Sequence, residues 1–382
     1  MRNLHISSSR LLGDLDELAA IGGRADGGVD RVAGSQADLD ARAWLAKRME
    51  FADLEPWTDE TGNVFGRRPG GSGPWLLVGS HTDTVPAGGR LDGAYGVIAG
   101  LEVLRTLHEM DHPAADGLEV VSFWDEEGAR PDSTGGLVGS TALCAGEHIR
   151  DVRAYLELHI EQGPRMESAG LQLATVEGIV GIDRYSVRMR GEPNHAGTTP
   201  LSARADAGRA AAKVATSIWE IARRTDATMA ANAGSLEFHP GAPNVVPGEA
   251  TVVVEFRAAR AEALHEAADE LATLSHDFAR QERCVATIDQ LSNKPVVRFD
   301  AGLCGLLDGV LRRTGVPHDR MTSYAGHDAG ALSASVPAAM LFVPSKGGVS
   351  HSPCEYTPES LLVLGCQTLL DAVLEFHESR SE

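Results

Sequence analysis

Residues 79–97 read GSHTDTVPAGGRLDGAYGV and follow directly on the apolar run Trp75-Leu76-Leu77-Val78. An uninterrupted apolar run of strand length marks a strand buried on both faces, as in a parallel sheet. The run does not end in an ordinary polar turn: His81, Asp83 and Asp92 fall within a dozen positions, set among glycines. In an open α/β sheet ligands gather where strands end on their carboxyl side. Two linked questions follow: whether the flanking chain builds such a sheet, and whether its other strands end in matching groups.

The flanking chain predicts the sheet. Residues 118–124 (LEVVSFW) form a second apolar run, and between the two, residues 95–110 place Val97, Leu101 and Leu104 on one helical face, the crossover that a parallel pair requires. Residues 154–160 (AYLELHI) and 338–343 read as further strands. Upstream, 11–21 and 35–49 read as amphipathic helices, the second opened by Ser35 with Asp38 three residues on, a capping-box pattern, and Gly62-Asn63 marks a turn. Near residue 182 the texture changes. Residues 182–190 and 250–258 read as strands and 203–224 and 259–282 as long alanine-rich helices, a small α+β unit of two strands and two helices. From Asn293 the chain returns to helix (301–313), strand (338–343) and helix (359–377). The predicted fold class is therefore α/β: a mostly parallel sheet flanked by helices over 1–181 and 293–382, with a smaller α+β domain, 182–292, inserted. No internal repeat, low-complexity tract or long linker interrupts it.

Composition narrows the partners. A chain of 382 residues with 43% hydrophobic positions supports one large or two ordinary cores. Acidic residues outnumber basic ones 54 to 34 and no basic run stands out, which disfavours nucleic acid and anionic membranes and leaves a small molecule as the expected partner. The five cysteines (Cys144, Cys284, Cys304, Cys354, Cys366) are scattered and form no C-x-x-C, so neither a disulfide framework nor a thiolate zinc site is expected. The opening MRNLHISSSRLLGDLDELAAIG lacks the apolar core of a signal peptide or membrane span, and a cytoplasmic location is expected.

Each polar cluster of the sheet domain closes a predicted strand. His81 closes the first, Asp125-Glu126-Glu127 the second, His159-Ile160-Glu161-Gln162 the third, and Ser350-His351 follows the last. Singly, each has an ordinary explanation: a hydrogen-bonded histidine, a solvated acidic turn. Together, four strand ends offering imidazole and carboxylate to one crevice are costly unless a cation balances them. Histidine and carboxylate without thiolate suit zinc, manganese or cobalt in a catalytic site. Asp92, between flexible glycines, is placed to bridge two ions. Asp83, two residues beyond His81, is expected to face the same way and to orient that imidazole.

The ordered set GSHTDTVPAGGRLDGAYGV, DEEGAR, ELHIEQGP, NHAGTTP, NVVPG, EFR, AGHDA and SHSPCEYT spans nearly the whole chain. It resembles the dinuclear-metal amidohydrolases that include aminoacylases and carboxypeptidases, and most closely their branch of N-carbamoyl-L-amino-acid hydrolases, allantoate amidohydrolases and β-ureidopropionases. The resemblance implies two divalent metal ions per chain, one held by His81, Asp92 and His159, the other by Asp92, Glu127 and His351, with Asp92 bridging. It implies Glu126 as general base, His195 as stabiliser of the tetrahedral oxyanion, and Asn244 and Arg257 as holders of the substrate carboxylate. Gln162 and, more weakly, His327 of the AGHDA loop belong to the expected substrate contacts. His159 carries the branch assignment, because the peptidase branch is expected to place a carboxylate there.

The resemblance further implies that the inserted domain closes over the metals and forms a homodimer. Ordinary alternatives stand beside these roles: His195 as a turn residue after Pro193, Asn244 as the start of the Val245-Val246-Pro247-Gly248 turn, Arg257 in a strand-end ion pair. Two departures from the family pattern bear on the substrate side chain. Tyr324 stands where a small residue is expected, and Pro131-Asp132-Ser133-Thr134 replaces an aromatic-containing stretch. The expected reaction is hydrolysis of the ureido C–N bond of an N-carbamoyl-L-amino acid or a related ureido acid such as allantoate, releasing ammonia and carbon dioxide. Two competing readings are a metallo-aminoacylase or dipeptidase and a metal-free binding protein on the same fold.

Overall fold

The strand Trp75–His81 is buried along its whole length and lies inside a nine-stranded sheet, in a computed structural model that describes residues 4–379. Across the middle of that sheet the strands run Val64–Arg67, Leu118–Phe123, Trp75–His81, Val152–Ile160, Ala338–Val343 and Leu173–Ile179. The central four are parallel, with Val78 opposite Val120, Leu77 opposite Tyr155 and Leu341 opposite Leu158. The strands that flank them pair antiparallel. These four parallel strands are the four apolar runs legible in the sequence. It brings His81 level with Phe123, and Ile160 level with Val343, so all four carboxyl ends open on one edge.

The described chain divides into two compact units: residues up to Gly178 together with those from Arg298 onward form one, and Ile179–Val297 the other. These limits fall a few residues outside the expected 182–292, because the first strand of the smaller unit starts at Gly181 and the last one runs on to Lys294. In the larger unit the helix Ala94–Glu109 packs on Trp75–His81, Leu118–Phe123 and Val152–Ile160 and is buried through Leu107. Ser35 caps Gln36–Glu50 by accepting from Asp38 N at 3.2 Å, while the Asp38 carboxylate takes the N–H of Gly34, one residue before the cap, at 2.8 Å. Glu359–Glu378 is the one helix among the described residues long and apolar enough to cross a membrane; it packs on Ala94–Glu109 and Ala301–Thr314 and buries Leu362, Leu369 and Leu370.

Several strands carry no apolar run and were not legible. Glu55–Thr58 and Val64–Arg67 form the hairpin around the Gly62-Asn63 turn, and Leu173–Ile179 and His318–Ser323 pair at the far side of the sheet. The smaller unit departs further. In place of two strands it has a four-stranded antiparallel sheet, ordered Val285–Lys294, Gly181–Arg190, Glu249–Ala258, Ala230–His239. The two inner strands alternate buried and open positions, as half-buried strands do; the two edge strands are exposed over most of their length, so hydrophobic alternation does not mark them. Helices Ala207–Thr225 and Ala261–Gln281 cover one face, with Val187, Val252, Phe256, Ile218 and Leu271 in the core between.

Candidate metal centre

His81 is the last residue of its strand, and its Nδ1 lies 3.0 Å from the backbone oxygen of Asp83. His159, near the end of the neighbouring strand, sets its Nδ1 2.8 Å from the Ile160 oxygen. Carbonyls only accept, so each ring carries a proton on Nδ1 and turns its Nε2 towards Asp92, with His159 Nε2 also 3.2 Å from the Gly93 N–H. Asp92 sits between them in the loop before Ala94–Glu109. Its Oδ1 is 3.2 Å from His159 Nε2 and 3.9 Å from His81 Nε2, while its Oδ2 is 3.1 Å from His351 Nε2. His351 Nε2 lies in turn 3.4 Å from Glu127 Oε2. One carboxylate therefore faces two donor sets, His81-Asp92-His159 and Asp92-Glu127-His351, each with ligand atoms within 4.8 Å of one another. Two overlapping groups, His81-Glu126-Glu127 and Glu157-His159-His327, meet the same criterion.

The chemistry of the donor set fits divalent cations. Burial pushes Glu126 well above the usual carboxylate range and Glu127 to about 7, with neighbouring carboxylates adding to both. Burial opposes the charge on His81, yet Glu126 and Asp83 outweigh it and raise the imidazole; the hydrogen bond to Asp92 raises His351 to about 9. Glu127 Oε1 is buried without a hydrogen-bond partner. Carboxylates in such a place hold either protons or a cation. Gly93 is required beside them: its φ is +64°, and a Cβ there would come within 2.4 Å of the His81 ring.

Asp83 lies beyond the strand's end yet stays on the imidazole: its backbone oxygen is 3.0 Å and its Oδ1 3.5 Å from His81 Nδ1. Its carboxylate also accepts the N–H groups of Glu126 (3.3 Å) and Glu127 (3.2 Å), fixing the glutamate pair against the His81 loop. Glu126 Oε2 reaches to 3.7 Å of His81 Nε2, whereas Glu127 turns to His351. Gln162, held at φ +59°, donates from Nε2 to Asp92 Oδ2 at 2.9 Å, and its Oε1 is buried without a partner. His327, expected at the substrate, is 2% exposed; its ring stands edge-on to His159 at 4.6 Å and its Nε2 pairs with Ser323 Oγ at 2.8 Å. That geometry packs His327 against a neighbouring imidazole.

Three further buried groups surround the cluster, of which Glu355 and Glu157 were not singled out in the sequence. Glu355, 5% exposed, accepts the N–H of Leu91 (2.9 Å) and of Asp92 (3.0 Å) and the hydroxyl of Ser350 (2.7 Å), and Ser350 Oγ also lies 3.3 Å from Asp92 Oδ2. Glu157 accepts from Ser80 Oγ at 2.7 Å and from Ala329 N at 2.8 Å, tying the His81 and His159 strands to the AGHDA loop. Asp328 is fully buried beside them. A signal existed for Glu157 alone: an acid inside the apolar run AYLELHI must be buried and partnered.

In the smaller unit the two-residue strands Asn194–His195 and Val245–Val246 pair with His195 opposite Val245, which sets Asn244 beside the histidine; Ala196 N bonds the Asn244 oxygen at 2.9 Å. His195 Nδ1 accepts from Gly197 N (3.0 Å) and Thr198 N (3.1 Å). The neutral ring then carries its proton on Nε2, an outward donor on an exposed residue. Arg257 lies near the end of Glu249–Ala258 with its Nε 2.7 Å from Glu255 Oε1.

Comparison with known proteins agrees with this geometry. The model of peptidase family M20/M25/M40 matches residues 77–375. An allantoate amidohydrolase of Bacillus subtilis is 34% identical, the match covering 94% of this chain and 95% of that protein, and an N-carbamoyl-L-amino acid amidohydrolase of Geobacillus stearothermophilus is 32% identical over 96% and 98%. Among solved structures, a hydantoinase/carbamoylase family amidase from Burkholderia phymatum superposes with a TM-score of 0.88 at 34% identity, covering 99% of this chain and all of that one. With its ordered motifs, its sheet and its relatives in agreement, the chain belongs to peptidase family M20/M25/M40, in the branch of allantoate amidohydrolases and N-carbamoyl-L-amino-acid amidohydrolases.

Proposed function

We propose that this protein hydrolyses the ureido C–N bond of an N-carbamoyl-L-amino acid or a related ureido acid such as allantoate, releasing ammonia and carbon dioxide. The observation that carries the reading is Asp92, whose two oxygens face two separate donor sets, with Glu126 at their side. His81, Asp92 and His159 would hold one divalent ion and Asp92, Glu127 and His351 the other, zinc, manganese or cobalt by donor type. A pair of ions so held supplies Lewis acidity and lowers the pKa of water, which an unreactive ureide needs at neutral pH.

The remaining work falls to the chain. Glu126, raised by burial, is suited to take a proton from the attacking water and pass it to the leaving nitrogen. Asp83 holds that glutamate through its backbone N–H. The unpartnered Oε1 of Gln162 is matched to the terminal NH₂ of a ureido group, and a site that hydrogen-bonds an NH₂ rejects an acyl methyl in its place. His195 Nε2–H is matched to a developing oxyanion, and Asn244 and Arg257 to the substrate carboxylate. We assign His327 to the packing of His159. The smaller unit we read as a lid and as the interface of a homodimer. The five unpaired cysteines agree with a reducing compartment.

A substrate panel tests the reading. Ammonia release is measured for N-carbamoyl-L-amino acids, allantoate and β-ureidopropionate, and amine release for N-acetyl amino acids and dipeptides. Ureido compounds should turn over fastest, with L preferred over D. Acetyl or peptide substrates outrunning every ureido compound would move the assignment to a metallo-aminoacylase or dipeptidase.

A further inference from the structure

A cavity of about 290 Å³ opens in the larger unit between Gln162 and Tyr324. Its inner end belongs to the candidate site: Gln162 is bonded to Asp92 there, and the Phe342 ring lies 5.6 Å from that of His327 and 6.3 Å from that of His159. Its outer end is formed by Arg165, whose guanidinium carbon stands 3.7 Å above the Tyr324 ring. Glu161, the acid nearest in sequence, gives its two oxygens to the backbone N–H groups of Arg165 (2.8 Å) and Met166 (2.9 Å). Among the described residues no carboxylate lies within ion-pair distance of the Arg165 guanidinium.

A guanidinium seated over an aromatic ring can still offer its N–H donors to a carboxylate, which its planar fork matches with two parallel hydrogen bonds. The ring also fixes a long side chain that would otherwise lose rotamer freedom on binding. The lining combines the amide of Gln162, the apolar side chains of Phe342 and Met321, the cation of Arg165 and the carboxylate of Glu161, whose oxygens are taken by backbone N–H groups.

We infer that this cavity receives the side chain of the ureido substrate and that Arg165, held on Tyr324, selects a side chain ending in a carboxylate, so that the preferred substrates are N-carbamoyl derivatives of acidic amino acids. The inference rests on the ureido reading above and adds the class of side chain. Arg165 and Tyr324 are specificity-determining residues in this account, with no part in bond breaking.

The test compares kcat/KM for N-carbamoyl-L-glutamate and N-carbamoyl-L-methionine, with metal-loaded protein. The wild type should favour the glutamate derivative at least tenfold. Arg165→Ala should lower the glutamate-to-methionine ratio by roughly 10- to 100-fold, mainly through KM for the dicarboxylate, and Arg165→Glu should lower it further by adding repulsion. Tyr324→Phe keeps the ring and should keep the ratio, whereas Tyr324→Gly should lower it. A wild type that prefers the methionine derivative, or a ratio that stays within threefold of wild type in both Arg165 variants, overturns the inference and leaves ureido hydrolysis standing. Turnover of N-acetyl or dipeptide substrates with none of any ureido compound overturns both.

Discussion

Glu355 offers the sharpest quantitative expectation outside the proposed metal ligands. Its carboxylate is the acceptor for the N–H groups of Leu91 and Asp92 and for the Ser350 hydroxyl, and it is buried. Glu355→Ala leaves two buried amides without a partner, at about 1–3 kcal/mol each, so a loss of roughly 2–6 kcal/mol is expected. Ser350 is less affected, since Asp92 Oδ2 is also within its reach. Glu355→Gln keeps an oxygen for both amides and asks Ser350 only to reverse its hydroxyl, at a cost of about 0.5–1.5 kcal/mol. Urea denaturation at fixed metal concentration measures both, and the m-value should not change. Because the bonded amide is that of Asp92, a metal titration should also show Glu355→Ala weakening binding by about 10- to 100-fold, the usual range for an outer partner of a ligand. An alanine variant within about 1 kcal/mol of wild type that binds metal normally would refute the reasoning, since no buried amide could then depend on this carboxylate.

Other expectations follow from the same geometry. Glu126→Gln should reduce turnover on the order of a hundredfold or more with metal content intact, measured by steady-state kinetics beside elemental analysis; loss of metal instead would exchange the roles of the two glutamates. Gly93→Ala should empty the first donor set and destabilise the fold by about 1 kcal/mol or more, because the left-handed φ and the His81 ring both resist a Cβ; unchanged metal content would contradict this. Metal affinity should rise with pH between about 6 and 9: His351, raised to about 9, and Glu127, raised to about 7, hold protons that a cation must displace, so each step up in pH removes a competitor. Titration with zinc at several pH values checks the sign. Arg257→Ala should raise KM strongly for substrates with a free carboxylate and little for amide-capped analogues; equal damage to both would make Arg257 structural.

The legible parts of the fold are those whose burial leaves a mark in the sequence. Trp75–His81, Leu118–Phe123, Val152–Ile160 and Ala338–Val343 are buried on both faces and read as apolar runs, and because their carboxyl ends share one edge, the groups that close them could be gathered from sequence alone. Ala230–His239 and Val285–Lys294 are edge strands with open faces, held by backbone pairing that no side-chain pattern reports. The same asymmetry holds within the site. His81, Asp92, His159, Glu127 and His351 sit at strand ends or in glycine-rich loops and announce themselves by type. Asp83 was legible as a neighbour of His81, but its bonds to the Glu126 and Glu127 amides were not, because they join two loops far apart in sequence. Glu355 stayed hidden because an acid four residues after His351 looks like a solvated turn until its three donors are seen.

Anomalous diffraction from crystals of the zinc-loaded protein shows whether Asp92 joins two metal sites. Two ions per chain are expected, about 3.5–4 Å apart, both with Asp92 as a ligand, His81 and His159 completing one and Glu127 and His351 the other. A single ion per chain at saturating zinc, or two ions of which either lacks Asp92 as a ligand, would contradict this.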